Sequence, residues 1–359
     1  MNALNWILVV VVAVLFFLAK RVKMRPEDVS GGTGRYELPP ASAGLGLLDA
    51  SQQNTVYASR PRPEEAEALA AAREGRWEPA AALLRTIGED WDRRSAAAYT
   101  LGGRAAEDDT WLLAWEQALP DDPDAAVVRA RSTVILAWNI RGGQRAHHTT
   151  SEQFQGFHEV LARSCADIER AAALNPADPT PYITGIWTAL GLGMPHDEMQ
   201  RLWKEITARA PHHYEAHFSA LQYWCAKWRG SQELAERFAL QAAASAPPGS
   251  LLSAMPLICH FEHDESKIYS ADRSARMVAL VDAAVVDVTA ADPAHPRTAE
   301  VHHLVAYYLS VQKRHAAAVE HFRLVDGYVG ALPWRYDPSP AAAYCRRRDA
   351  SVRGAARRS

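Results

Sequence analysis

Cysteine is scarce in this sequence, and so are the short motifs that identify common enzyme classes. Only four cysteines occur in 359 residues, and no two of them form a Cys-x-x-Cys pair. This wide spacing argues against the disulfide framework of a small secreted protein and favours reduced thiols in a cytoplasmic compartment. Zinc sites built on paired cysteines are excluded by the same spacing.

An excess of charge of one sign is also missing. Lysine and arginine together number 39, aspartate and glutamate 42, and the formal net charge is −3. Because general nucleic-acid binders are usually basic, we expect no nucleic-acid partner. Arginine outnumbers lysine 33 to 6, and alanine is very frequent. Both residues favour helix, so the composition predicts a helix-rich folded protein.

Catalytic signatures are absent as well. There is no Gly-x-Ser-x-Gly motif and no dinucleotide fingerprint. The glycine-rich stretch at 31–34 lacks both a preceding strand and a following Gly-Lys-Ser/Thr, so it does not indicate a phosphate loop. Charged pairs such as His158-Glu159 have no recognisable second half of a catalytic arrangement. We therefore predict that the protein is not an enzyme and needs no cofactor.

One long apolar run is present, at the N-terminus. Trp6–Ala19 contains no charged residue, and with Ala3 included it reaches about 26 Å as a helix. Lysine and arginine side chains that snorkel extend this toward the ~30 Å hydrocarbon core. The basic residues follow at once, as Lys20, Arg21, Lys23 and Arg25. By the positive-inside rule, residues 1–25 are a single-pass anchor in the cell membrane, with residues 3–19 in the bilayer and the body in the cytoplasm.

Two alternatives to the anchor stay open. A cleaved signal peptide needs a positive region before the apolar run and a small-x-small cleavage site after it. Here the positive charge comes after the run, and no such site follows. The second alternative is a helix buried within the protein.

Two segments on either side of the main body have compositions typical of irregular chain. Residues 26–60 are rich in proline and glycine without sustained periodicity, which predicts a flexible linker or a loosely packed arm. Residues 336–359 end in a stretch with six arginines and one aspartate, which predicts a basic disordered tail. The tail could contact anionic lipid or serve solubility only.

Between these segments, residues 61–335 carry a helical-hairpin period. Pro176, Pro211 and Pro247 are 35 and 36 residues apart. Periods of this length with two helices per unit predict an all-α fold, an α-solenoid of stacked hairpins. The central hairpin is predicted as Tyr214–Ala226 and Gln232–Ala244, and Tyr99–Ala118 is expected to be helical.

Residues Ala299–Val325 resemble the tetratricopeptide repeat. The side chains at that repeat's packing positions are His302, Val305, Ala306, Leu309, Ala318, Phe322 and Val325. The central hairpins depart from the pattern, since they lack the expected glycine of the first helix and have a longer turn. That turn, Lys-Trp-x-Gly-Ser, is similar to one in bacterial helical proteins of unassigned function. The resemblance implies a scaffold that binds protein or peptide on the first helix of each pair.

Six residues are the candidates for partner binding: Trp138, Arg141, His217, Tyr223, Lys227 and Trp228. A packing role is the alternative for several of them. Trp228 could cap the hairpin core while Gly230 supplies a positive φ. Arg141 ends a long predicted helix, where a cation meets the negative end of the helix dipole.

Two other functions are weighed against the scaffold. His260, His263 and His302 could form a metal-dependent or otherwise cryptic enzyme, although the spacing matches no known zinc motif, so no metal site is predicted. The third function is purely structural, as a membrane-attached homo-oligomer.

Overall fold

In a computed structural model, residues 36–142, 150–264 and 269–357 are described. The predicted anchor lies outside these ranges. Within them, no helix is long and apolar enough to cross a membrane. The all-α prediction is confirmed: the described residues contain many packed helices and no strand, with one isolated bridge between Asn54 and Tyr328.

The helices have the following bounds: α1 Pro40–Ala43, α2 Pro63–Arg73, α3 Glu78–Ile87, α4 Trp91–Glu107, α5 Thr110–Ala118, α6 Pro123–Arg141, α7 Ser151–Leu174, α8 Thr180–Gly191, α9 His196–Arg209, α10 Tyr214–Trp224, α11 Gln232–Ser245, α12 Met255–His263, α13 Ala275–Ala290, α14 Thr298–Val311, α15 His315–Val325 and α16 Pro340–Ala356. Short 3₁₀ turns, including one at Ala271–Arg273, connect some of them.

The chain divides into two compact units. The first unit is Pro61–Ala235, and the second unit contains the described residues up to Arg60 together with those from Glu236 onward. The boundary therefore falls inside the predicted 61–335 repeat domain.

In the first unit, proline and aspartate define where helices begin. The α6 helix starts with a proline that needs no N–H partner, and the Asp122 carboxylate accepts from the Asp124 amide at 2.8 Å. The predicted helix over 99–118 is interrupted, because the Asp108 carboxylate accepts from both the backbone N–H and the hydroxyl of Thr110. This interruption separates α4 from α5.

In the first unit, some contacts join helices that are far apart in sequence. Stacking of neighbouring hairpins alone would not produce them. The start of α4 meets the start of α10: the Tyr214 amide donates to Asp92 at 3.1 Å, and the His213 Nε2 lies 3.0 Å from the Trp91 carbonyl oxygen. Arg94, only 4% exposed, pairs with both Asp178 and Asp124. In a one-dimensional solenoid each hairpin contacts only its neighbours. The finer solenoid prediction therefore stays a proposal.

The second unit includes residues 36–60, which are the described part of the linker predicted over 26–60. The Asn54 amide donates to the Gly327 carbonyl at 2.8 Å, and the Val329 amide donates to the Asn54 carbonyl at 2.7 Å. A Cβ on Gly330 would lie 2.4 Å from the Val56 carbonyl oxygen, so a side chain there would push the two segments apart. The structure thus differs from the linker expectation, because backbone hydrogen bonds fix this segment against 326–330.

The C-terminal residues differ from the disordered tail in the same way. Residues 340–356 form α16, in which Tyr344 and Cys345 are fully buried. The Arg348 guanidinium is 0% exposed and pairs with Asp326 at 2.6 Å and Asp349 at 3.0 Å. The arginine-rich composition predicts disorder, but the charge of Arg348 is balanced by two carboxylates inside the unit, and the segment is helical.

Within the second unit, α14 and α15 form the hairpin that resembles the tetratricopeptide repeat. Ala306, Ala318 and Phe322 are 0% exposed, as the packing positions of that repeat require. This agreement supports the helical hairpin of α14 and α15.

Candidate functional site

Trp138 is the centre of an aromatic cluster near the end of α6. Its ring lies 4.9 Å from Phe157, 6.1 Å from Trp187 and 5.8 Å from Trp228, measured between centroids. The side chain is 1% exposed, so it fills the core of the first unit. Gly191 allows this packing, because a Cβ there would lie 2.4 Å from Leu161 and 2.7 Å from Phe157.

Arg141 covers this aromatic cluster with its guanidinium. The Cζ atom is 5.8 Å from each of the ring centroids of Trp138, Phe154 and Trp228, within the range of a cation–π contact. Burial lowers the pKa of Arg141 to about 10. At neutral pH the guanidinium still carries its charge, which the aromatic faces stabilise in place of water.

The central turn carries Lys227 and Trp228 at the edge of the cluster. Lys227 is exposed, and Trp228 is half-buried against Trp138 and Arg141. The expected positive φ at Gly230 is wrong, since Gly230 is not among the residues with positive φ. Glycine is required there for another reason: a Cβ would lie 1.8 Å from the Trp224 carbonyl oxygen.

His217 and Tyr223 belong to the interior of α10. The His217 Nδ1 lies 2.9 Å from the His213 carbonyl oxygen, and burial lowers the pKa of the imidazole to about 4. The Tyr223 hydroxyl donates to the Met194 carbonyl at 2.8 Å, and burial raises its pKa. Neither side chain is accessible to a partner in this conformation.

The structure thus brings three of the six predicted residues together, Trp138, Arg141 and Trp228. Burial gives Trp138, His217 and Tyr223 a packing role, and Arg141, at 7% exposure, contacts rings rather than solvent. Lys227 and Trp228 are the members of the set that solvent reaches.

An open groove in the first unit was not predicted. Its volume is about 640 Å³, and it lies between the end of α4, the 108–109 break, the middle of α6 and the middle of α7. Its polar lining side chains are Glu107, Asp108, Asp109, Arg129, Ser132, Thr133, Arg163 and Asp167.

Ion pairs hold the walls of this groove in place. The Arg129 guanidinium reaches Asp109 at 2.7 Å and both carboxylate oxygens of Glu116, at 2.7 and 2.9 Å. The Thr133 hydroxyl donates to Asp167 at 2.6 Å, which links α6 to α7. Arg163 is exposed and makes no ion pair with any residue that the structure describes.

A sequence signal for the groove did exist. Arg129, Thr133 and Leu136 recur at helical spacing on α6, and Arg163 and Asp167 are four residues apart on α7. This spacing places each set on one face of a helix, but which two polar faces meet depends on tertiary packing, and no periodicity encodes it.

The three histidines of the enzyme alternative have separate partners. His260 pairs with Asp272 at 2.9 Å, the His263 Nδ1 lies 2.9 Å from the Cys259 carbonyl oxygen, and His302 contacts His321. Among the described residues they do not form a cluster of metal ligands with one another. The described structure therefore does not bring His260, His263 and His302 together as the enzyme alternative requires.

Comparison of the chain with protein-family models, with curated proteins and with solved structures finds no match. The structural support for the resemblance to the tetratricopeptide repeat is therefore the helical hairpins themselves.

Proposed function

We propose that this protein is a membrane-anchored scaffold whose helical body binds a protein or peptide partner in the cytoplasm. In this proposal, residues 3–19 form the single-pass anchor in the cell membrane, and tetratricopeptide-like hairpins form the body. The observation that carries the proposal is the groove of the first unit, which is open and lined by polar side chains that contact one another.

The size of the groove suits part of a peptide. Cavities of roughly 300–1,000 Å³ commonly accept ligands in proteins, and this one is about 640 Å³. Because Arg129 and Asp167 already have partners across the groove, their orientation costs little additional entropy when a ligand binds.

The charge of the groove indicates the chemistry of the partner. Four lining carboxylates, those of Glu107, Asp108, Asp109 and Asp167, face two guanidinium groups, those of Arg129 and Arg163. These six groups together carry a net negative charge, and Arg104 already pairs with two of them, Glu107 and Asp108. A partner segment with lysine or arginine complements the carboxylates, and a carboxylate on the same segment can bind Arg163.

Anchoring adds to such binding without any new contact. A scaffold fixed at a membrane raises the effective concentration of its partner beside that membrane. Carbonate extraction of membranes tests this part directly: the full chain is expected in the membrane fraction and a chain without residues 1–25 in the soluble fraction.

The groove is tested by photo-crosslinking in native membranes. A photo-activatable phenylalanine analogue replaces Arg163 in one protein and Arg201, an exposed arginine of α9, in the control. We expect a discrete adduct from position 163 that is lost when Glu107→Lys is added, and none from position 201. Equal adducts from both positions, or no adduct at 163, contradict the proposal. An adduct to a second copy of this chain identifies the structural homo-oligomer instead.

A further inference from the structure

In the second unit, three metal-ligating side chains converge at the end of α12. His260 lies in the last turn of that helix, Asp264 follows the helix directly, and Asp272 lies in the 3₁₀ turn Ala271–Arg273. One ligand atom from each, the imidazole nitrogen and two carboxylate oxygens, all lie within 4.8 Å of one another.

These distances are close to those of a divalent metal site. A tetrahedral zinc ion with bonds of roughly 2.0–2.1 Å places its ligand atoms about 3.3 Å apart. The His260 Nε2 and the Asp272 Oδ1 are 2.9 Å apart. The third ligand atom, a carboxylate oxygen of Asp264, lies within 4.8 Å of both.

The backbone that carries Asp272 is held by the end of α14. The Gln312 Nε2 donates to the Asp272 carbonyl at 3.0 Å, and the Arg273 Nε donates to the Val311 carbonyl at 2.8 Å. The Asp272 carboxylate is 2% exposed, and the His260 ring packs against Tyr308. Such outer contacts are the support that orients metal ligands in proteins.

Neighbouring residues limit the ligand set to nitrogen and oxygen. The Cys259 sulfur lies 3.7 Å from the His263 Nδ1. The group of ligand atoms that lie within 4.8 Å of one another consists of His260, Asp264 and Asp272 and does not include this sulfur. A set of one imidazole and two carboxylates fits Zn²⁺ or Mn²⁺, and of these the Irving–Williams order favours Zn²⁺.

We propose that His260, Asp264 and Asp272 bind one Zn²⁺ ion in the second unit. Three protein ligands leave one tetrahedral position for water or for a ligand from a partner, unlike the four protein ligands of a structural zinc site. This ligand set replaces the three histidines that the sequence suggested, and it is independent of the groove in the first unit.

Zinc binding is tested on the purified full chain in detergent, with ZnCl₂ as the probe and a competing chelator to measure affinity. We expect one tight site in the wild type and a loss of affinity of at least about 100-fold in His260→Ala and Asp264→Ala, since even outer-shell changes cost 10–100-fold. Gln312→Ala, which removes an outer contact, is expected to weaken binding by about 10-fold.

His263→Ala is the matched control, because it removes a histidine from the same helix that lies against Cys259 rather than in the cluster. It is expected to keep wild-type affinity. No tight site in the wild type overturns the proposal, and so does a site that survives His260→Ala or is lost in His263→Ala. Co²⁺ provides a second measurement that needs no variant: the strong visible absorption of four-coordinate cobalt is expected, and the weak spectrum of hydrated cobalt contradicts the site.

Discussion

The two units of this protein are closed in different ways. In the first unit, successive helices between Pro61 and Ala235 supply the whole of the described structure. The second unit needs residues that precede the first unit in sequence: Tyr36 and Ser42 both donate to Asp349, more than 300 residues away. Within the described residues, the first unit is therefore continuous along the chain, while the second joins two distant parts of it.

This difference has consequences for folding. Contacts between residues far apart in sequence carry a larger loop-closure cost and slow folding. The continuous first unit can begin to fold as it is synthesised, whereas the second unit has its full set of contacts only when α16 is available. Arg348 is the charged residue at the centre of the contacts that α16 makes with the rest of the second unit.

Arg348→Ala is expected to give the largest effect, and it should act on the second unit. It leaves the buried carboxylates of Asp326 and Asp349 without their cation, which costs about 3–5 kcal/mol. Chemical denaturation followed by fluorescence measures the change. Arg353→Ala, at an exposed position of the same helix, is the control and should change stability by less than about 0.5 kcal/mol. A similar loss in both variants contradicts the role of the buried pair.

Gly191→Ala is the corresponding test in the first unit. The added methyl group would overlap Leu161 and Phe157 beside Trp138, and overpacking of this kind costs about 1–3 kcal/mol. Denaturation should show destabilisation with the emission of the tryptophans altered. An unchanged midpoint would mean that the aromatic cluster is less tightly packed than the structure has it.

Acid is expected to destabilise both units, because each contains a buried neutral histidine. Burial lowers the pKa of His217 in the first unit and of His303 in the second to about 4. The unfolded histidine, at about 6.5, takes up its proton first as the pH falls, so stability is complete above about pH 6.5 and is lost toward pH 4.

Between pH 7 and pH 5 each of these histidines should cost about 2 kcal/mol. His303 is satisfied only as the neutral form, since the Trp334 indole N–H donates to its Nδ1 at 3.1 Å. Denaturation midpoints over this pH range test the prediction, with His303→Asn expected to flatten the dependence. Stability that stays constant down to pH 5 in the wild type excludes it.

The smallest expected effect is a gain. Gly103 lies within α4, and a Cβ there would meet no atom within 4 Å. Gly103→Ala should therefore stabilise the first unit by about 0.5–1 kcal/mol through helix propensity alone. It is also the matched control for Gly191→Ala, and destabilisation here would show that glycine at 103 has a packing role.

The same comparison explains what the sequence could predict. Helical periodicity and proline spacing identified the helix pairs of the first unit, because these signals are local. The interruption at Asp108 was missed, since it depends on one carboxylate that binds Thr110 rather than on a proline or glycine. That interruption forms one rim of the groove.

Burial could not be inferred from residue type. Trp138, His217 and Tyr223 are predicted to bind a partner on the concave surface of the repeats, yet each is under 5% exposed. The linker predicted over 26–60 rests on its prolines and glycines, and 36–60 is its described part. Its hydrogen bonds to 326–330 join positions over 270 residues apart, a relation that no window of sequence contains.

The central claim is that a partner occupies the groove of the first unit, and carboxylate labelling tests it most directly. The full chain is labelled with a carbodiimide reagent in native membranes and again after purification, and modified residues are counted by mass spectrometry. We predict that Asp108 and Asp167 are protected in membranes, while Asp197 of the first unit and Asp282 of the second, 66% and 52% exposed, are labelled equally in both samples. Equal labelling of the groove carboxylates in the two samples would contradict the account.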